Sequence, residues 1–247
     1  MPTSTALLKS LESGDTAIAE ARISEETYIQ HNLRVPDGRA ALLGILPALA
    51  QSGTRVNTLR SFKDGDFTFH HSEYHLFGEH QVGFDVFRSE GGKIVEHWDN
   101  LQQLAGPNPS GRTMLDGATE IRDLDQTEAN KALVASLIQE VFQKHRFDRL
   151  PDYISATTYL QHNPHVADGL EGLLQAKPFL AKFHYEKVFK VLGQGNFVLA
   201  MSQIQFDGQE AAVYDLFRVE AGKVVEHWDV LEPIPPRNEW KHGNGKF

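Results

Sequence analysis

The chain has no cysteine among its 247 residues. Disulfides, thiolate nucleophiles and cysteine-ligated metals are therefore excluded. Positive charge is also scarce: 24 Lys and Arg stand against 33 Asp and Glu, a net charge of −9. Nucleic acids and membrane surfaces want basic patches, and no Lys/Arg run supplies one, so neither partner is expected. No stretch reaches the roughly 18 consecutive apolar residues of a membrane span. Residues 1–11 lack a basic segment followed by an apolar run, so no secretory signal is expected and the reading is cytoplasmic. There is no Gly-rich phosphate loop, nucleophile elbow or dinucleotide fingerprint.

What is present is a repeat. Residues 28–38 read YIQHNLRVPDG and residues 159–169 read YLQHNPHVADG, identical at seven of eleven positions. Residues 84–102, FDVFRSEGGKIVEHWDNLQ, match residues 214–232, YDLFRVEAGKVVEHWDVLE, at twelve of nineteen. The offsets are 131 and 130 residues. That period is too long for a solenoid unit and suits a whole domain. The organisation expected is an N-terminal domain over 1–104, a linker over 105–126, a C-terminal domain over 127–234 and an extended tail over 235–247. Gly106, Pro107, Pro109 and Gly111 punctuate the linker.

Each copy opens with helical spacing. Leu133, Val134, Leu137, Ile138, Val141 and Phe142 recur on one helical face, and residues 6–11 give a shorter version. A small helix is expected to end near Tyr28 or Tyr159, and a third to span 40–49 or 170–180. Strands follow at 67–77, 83–89 and 93–101, and at 197–206, 213–219 and 223–231. Gly91-Gly92 and Ala221-Gly222 supply hairpin turns. Helices followed by an antiparallel meander make an α+β fold.

The strings Y-I-Q-H-N, D-G, H-S, D-x-F-R and G-K-I-V-E-H-W-D, in that order, resemble the SnoaL-like (polyketide cyclase and aldol-condensation) branch of the NTF2-like superfamily. The resemblance covers nearly all of both copies. It implies two tandem cone-shaped domains, each about three helices packed on a curved antiparallel sheet, joined as an intramolecular pseudo-dimer. A further homo-oligomer is left open. It also implies chemistry without cofactor or metal on a small hydrophobic ligand. The fold hosts cyclases, isomerases, dehydratases and non-enzymatic binders, so the reaction is not implied.

Strand alternation sorts the candidate residues. A bulge near Gly92 would place Asp85 opposite Asp99 and Phe87 opposite His97, and likewise Asp215 opposite Asp229. Two buried carboxylates on adjacent strands raise each other's pKa, the arrangement that acid/base work needs. The resemblance implies an acid/base role for Asp99, with a histidine at the position that is Asp85 here. The plainer alternative for Asp85 and Asp215 is a carboxylate that accepts bonds from backbone or arginine. His31 and His162 either enter the cone or cap the next loop. On strand 67–77, Phe69 and His71 share one face, with Met201 at the position matching His71. A methionine transfers no protons, so the N-terminal cone is the expected seat of chemistry. Catalytic candidates are thus Asp99, His71, His31 and Asp85. Binding candidates are Phe69, Phe87, His97, His162, Asp215 and Asp229. His71, Glu73 and His75 alternate along one face but span about 13 Å, too long for tight ligation of one ion, and no metal is expected. Trp98 and Trp228 fall on the opposite face, where Arg88 and Arg218 are expected to pair with Glu96 and Glu226. The expected activity is a cofactor-free lyase or isomerase of cyclase or dehydratase type. It would take a proton from beside a carbonyl of a polyketide-like compound. The alternative is a binding or scaffold protein without turnover.

Overall fold

Two-residue turns with both residues left-handed, at 77–78 and 91–92 in the first copy and 207–208 and 221–222 in the second, join the last three long strands of each copy. Gly91 and Gly92 have φ of 53° and 80°, the geometry that matches strand twist in a tight hairpin. The computed structural model describes residues 3–247. Among these, the first unit has helices α1 (Thr3–Ser13), α2 (Thr16–Arg22) and α3 (Arg39–Gln51). Its strands are β1 (Ile29–Gln30), β2 (Arg55–Asp64), β3 (Phe67–Leu76), β4 (Glu79–Glu90) and β5 (Lys93–Gln103), in sheet order β1-β5-β4-β3-β2. The second unit has α4 (Thr127–Leu137), which continues into a π-helical turn over Ile138–Gln143, then α5 (Leu150–Tyr153), α6 (Gly169–Gln175) and α7 (Lys177–Leu180). Its strands β6 (Leu160–Gln161), β7 (Phe183–Gln194), β8 (Phe197–Phe206), β9 (Gln209–Glu220) and β10 (Lys223–Pro233) repeat the order as β6-β10-β9-β8-β7. The chain is thus two tandem α+β domains.

Three features depart from the expected elements. The segment near Tyr28 does not end a helix. It is a short strand parallel to β5, with Gln30 beside His97. The longest helix-flanking strands, β2 and β7, were not anticipated. The expected pairing of Asp85 with Asp99 and Phe87 with His97 is present, but the bulge lies at Val95, not near Gly92. Past the bulge the alternation flips, so Ile94 joins Phe87 in the core under the helices.

The helix-covered face of the first sheet carries Val56, Tyr74, Phe87 and Ile94. They pack against Leu7 and Leu8 of α1, Ala19 of α2 and Leu42, Leu46 and Leu49 of α3. In the second unit Val134 and Leu137 of α4, with Leu150 and Leu173, pack on Val198, Ala200, Phe217 and Val224. The interhelical apolar stripes explain why these short helices hold: burial, not intrinsic propensity, supplies most of their stability.

Much of the opposite face of each sheet is also buried. Segment 105–126 belongs to the second unit and segment 235–247 to the first. In the second unit, Trp228 donates its indole N–H to the Asp116 carbonyl at 2.9 Å. Gly117 follows with φ of 101°, and any side chain there would collide with Glu226, Trp228 and His162. In the first unit, Lys241 N–H bonds the Leu33 carbonyl and Asn244 Nδ2 donates to the Gln30 carbonyl. Arg88 pairs with Glu96 at 2.7 Å and Arg218 with Glu226 at 2.6 Å on this face.

Candidate active site

The repeated block Y-x-Q-H-N-x-x-V-x-D-G builds one end of the site through its Gln, Asn and Asp. Asp37 and Asp168 accept the backbone N–H of Gln30 and Gln161 at 2.9 Å. Asn32 and Asn163 close the following turn by accepting from Arg34 N and His165 N. This leaves their side-chain amides free to donate to Asp99 and Asp229, both at 2.7 Å. Gln30 Oε1 accepts the N–H of His31 and Asn32, and Gln161 Oε1 accepts those of His162 and Asn163. The glutamine amides are thereby fixed with the oxygen toward the sheet.

That oxygen meets a histidine of the last strand. Gln161 Oε1 lies 3.0 Å from His227 Nδ1, and His227 Nε2 lies 3.0 Å from Asp215 Oδ1. Tyr185 donates to Asp215 Oδ2 at 2.9 Å. The first unit has the same chain: Gln30 to His97 at 3.1 Å, His97 to Asp85 at 3.1 Å, and Tyr74 to Asp85 at 2.6 Å. Asp85, His97 and Asp99 hold ligand-type atoms within 4.8 Å of one another, as do Asp215, His227 and Asp229.

The hydrogen-bond partners decide where protons sit. Both nitrogens of His227 face acceptors, so both carry hydrogen when Asp215 is ionised. Burial pulls the His227 pKa down, but the Asp215 hydrogen bond and the two aspartate charges outweigh it, and the net shift is upward. His227 and Asp215 form a pair with no net charge. Asp229 is the remaining carboxylate. Burial raises its pKa and the nearby Asp215 adds to the rise, while His227 and Asn163 only partly oppose it. Burial likewise raises Asp85, against the hydrogen bond from His97. Tyr185 is raised well above the ordinary phenol range by burial and then by Asp215, so it remains a donor.

The two units differ in the residues beside this network. A cavity lies in the second unit. It is narrow: the centre of a water molecule can occupy only about 30 Å³ of it. Leu137, Ile154, Leu173, Phe179, Phe183 and Phe217 form apolar walls, while Asp215, His227, Asp229 and Asn163 supply the polar floor. At the position of Ala200 beside Asp215, the first unit has His70 beside Asp85. His70 is fully buried, contacts Phe87 and bonds Ser4 of α1 at 2.7 Å. Burial, and secondarily His97, pull its pKa down to about 4. Asp99 also meets a buried ammonium, with Lys246 Nζ 2.7 Å from its carbonyl and 3.7 Å from Oδ1.

The expected site residues separate by face. Asp85, Asp99, Phe87 and His97 lie together on the helix-covered side, as do Asp215 and Asp229 in the second unit. His31, His71 and Phe69 do not join them. His31 stacks on Trp98 and bonds Glu96 on the other face, with the Gly245 carbonyl at its second nitrogen. His162 repeats this against Trp228 and Glu226. Phe69 packs between Phe62 and Phe84, and His71 packs on Phe84 and bonds Arg60. His71 and Met201 therefore say nothing about the cone, and the case for chemistry in the N-terminal copy falls with them. The residues missed are His227 as a charged partner, and Gln30, Gln161, Tyr74 and Tyr185. Parity held the signal: Gln30, next to His31 and beside His97, faces the cone.

No family model matches the chain, and no curated protein matches it. Several solved structures do. One is "wild-type IdmH, a putative polyketide cyclase" from Streptomyces antibioticus, at 21% identity and TM-score 0.35, covering 42% of this chain and 91% of that one. Another is a "putative SnoaL-like polyketide cyclase" from Jannaschia sp. CCS1, at 19% identity and TM-score 0.37, covering 47% and 92%. A third is a "putative ketosteroid isomerase" from Kribbella flavida, at 14% identity and TM-score 0.38, covering 45% and 87%. Each spans nearly a whole solved chain and a little under half of this one. In element order and sheet topology, the chain is two successive α+β domains, each with a five-stranded sheet.

Proposed function

We propose that the chain is an acid/base catalyst of cyclase, isomerase or dehydratase type, working without a cofactor on a small hydrophobic carbonyl compound in the cavity of the second unit. The observation that carries this is Asp229: a buried carboxylate with a raised pKa, at the floor of an apolar cavity, beside the uncharged His227–Asp215 pair. Asp229 takes a proton from the carbon next to the carbonyl and returns it elsewhere on the substrate. Asn163 orients the carboxylate. With both N–H groups held by Gln161 and Asp215, the His227 imidazolium offsets the negative charge that develops on the carbonyl oxygen through its own positive charge rather than by a hydrogen bond, in a site of low dielectric. Apolar walls select substrates by shape and exclude water.

The test is exchange of solvent deuterium into the α-carbon of acetylacetone and acetonaphthone, followed by NMR. Asp229→Asn should slow the enzyme-dependent exchange by about 10²–10⁴-fold. Binding of either ketone without any exchange above buffer would leave a binding protein instead.

A further inference from the structure

We propose that the tip of the β3–β4 hairpin is a binding site for a divalent transition metal, held by Glu73, His75 and His80. The inference is independent of the proposed activity. Phe77 and Gly78, with φ of 51° and 86°, form a two-residue turn. This tight turn makes His75 and His80 direct partners across the two strands. Directly opposed side chains on one face start only about 5 Å apart. The two imidazole rings stack with centroids 4.1 Å apart. Glu73 lies two residues before His75, on the same face, and its Oε1 is 2.7 Å from His80 Nε2. Asn57 donates to the other carboxylate oxygen of Glu73 and steadies it.

One donor atom from each of the three residues lies within 4.8 Å of the others. Ligands of a tetrahedral zinc ion, with bonds of about 2.0–2.1 Å, stand roughly 3.3 Å apart. Rotation of the partly exposed side chains closes that gap without moving the backbone. Arg55, across from His75 on β2, directs its guanidinium to the Thr54 carbonyl. Two imidazoles and one carboxylate suit zinc, nickel or copper far better than magnesium or calcium. Three protein ligands at an exposed tip leave the fourth position open to water.

The second unit supplies the comparison. Its matching hairpin has the same geometry, with Gln205 opposite Glu210 and a left-handed turn at Asp207 and Gly208. Its side chains are Gln203, Gln205 and Glu210, and Gln203 bonds Glu210 at 2.8 Å. The hairpin therefore needs no histidines to form.

The experiment is calorimetric titration of the full chain with zinc chloride in a non-chelating buffer. One equivalent should bind. His75→Gln and His80→Gln should each weaken binding by at least about tenfold, with unchanged thermal unfolding in the absence of zinc. Absence of zinc binding to the wild-type chain would overturn the proposal. So would equal binding by the wild type and both variants, which would place the metal elsewhere.

Discussion

The two units keep one chain of polar contacts and surround it differently. In the first, the phenol that serves the Asp85 carboxylate comes from Tyr74 on β3, with Val56 as its neighbour across β2. In the second, the phenol that serves Asp215 is Tyr185 on β7, and its neighbour across β8 is Ile204. The aromatic and aliphatic members of the cross-strand pair have exchanged places. Such partners stand about 5 Å apart on one face, so a hydroxyl from either strand reaches the same carboxylate. The requirement that holds is a donor for a buried carboxylate, not a residue at a given position. Around that constant, the first unit places His70 beside Asp85 and sets Lys246 against Asp99, while the second has Ala200 beside Asp215 and a narrow cavity.

The largest expected effect breaks the symmetry between the carboxylates. In the deuterium-exchange assay, Asp229→Asn should cost about 10²–10⁴-fold and Asp99→Asn should leave most of the rate. Equal losses would make the units equivalent.

The next effect is on stability against pH. His70 has a folded pKa of about 4, below its ordinary 6.5. The unfolded chain therefore binds the proton more readily, and stability falls as pH drops from about 6.5 towards 4. The difference is worth on the order of 3 kcal/mol. His70→Ala, the residue of the second copy, should flatten the slope of denaturation free energy over that window. An unchanged slope would show that His70 titrates normally.

Smaller effects sharpen the tyrosine exchange. Tyr185→Phe should destabilise by about 1–3 kcal/mol, because Asp215 loses a donor. Combining Tyr185→Val with Ile204→Tyr should recover part of this, read as a coupling energy in a double-mutant cycle. Purely additive effects would deny that the two tyrosines are interchangeable. Smallest, Ala200→His should weaken acetonaphthone binding by about tenfold, or 1.4 kcal/mol, since the ring would crowd Asp215, which lines the cavity; unchanged affinity would place the ligand elsewhere.

The duplication, the α+β order and the register of Asp85 with Asp99 were legible in the sequence. Identical blocks and glycine turns carry those signals directly. β2 and β7 were not legible because bulges interrupt their alternation, once near Leu59 in β2 and twice in β7. A broken period hides a strand. The grouping of Phe69 with His71 on one face was readable, but the face toward the helices was not. Both sides of β3 are buried, so hydrophobicity does not choose between His70 and His71. Only the pairing of His70 with Asp85 does. The tyrosine exchange was hidden for a related reason, since aligned positions conserve neither tyrosine.

The claim at the centre is that the second unit holds a proton-exchanging carboxylate beside an uncharged His–Asp pair. Carboxyl-carbon NMR titration of the full chain, with Asp229 assigned through Asp229→Asn, tests it most directly. Asp229 should titrate above its ordinary 3.8, and His227 should keep its second proton above 6.5. An Asp229 carboxyl that titrates at or below 3.8, with a His227 that loses its proton below 6.5, would contradict it.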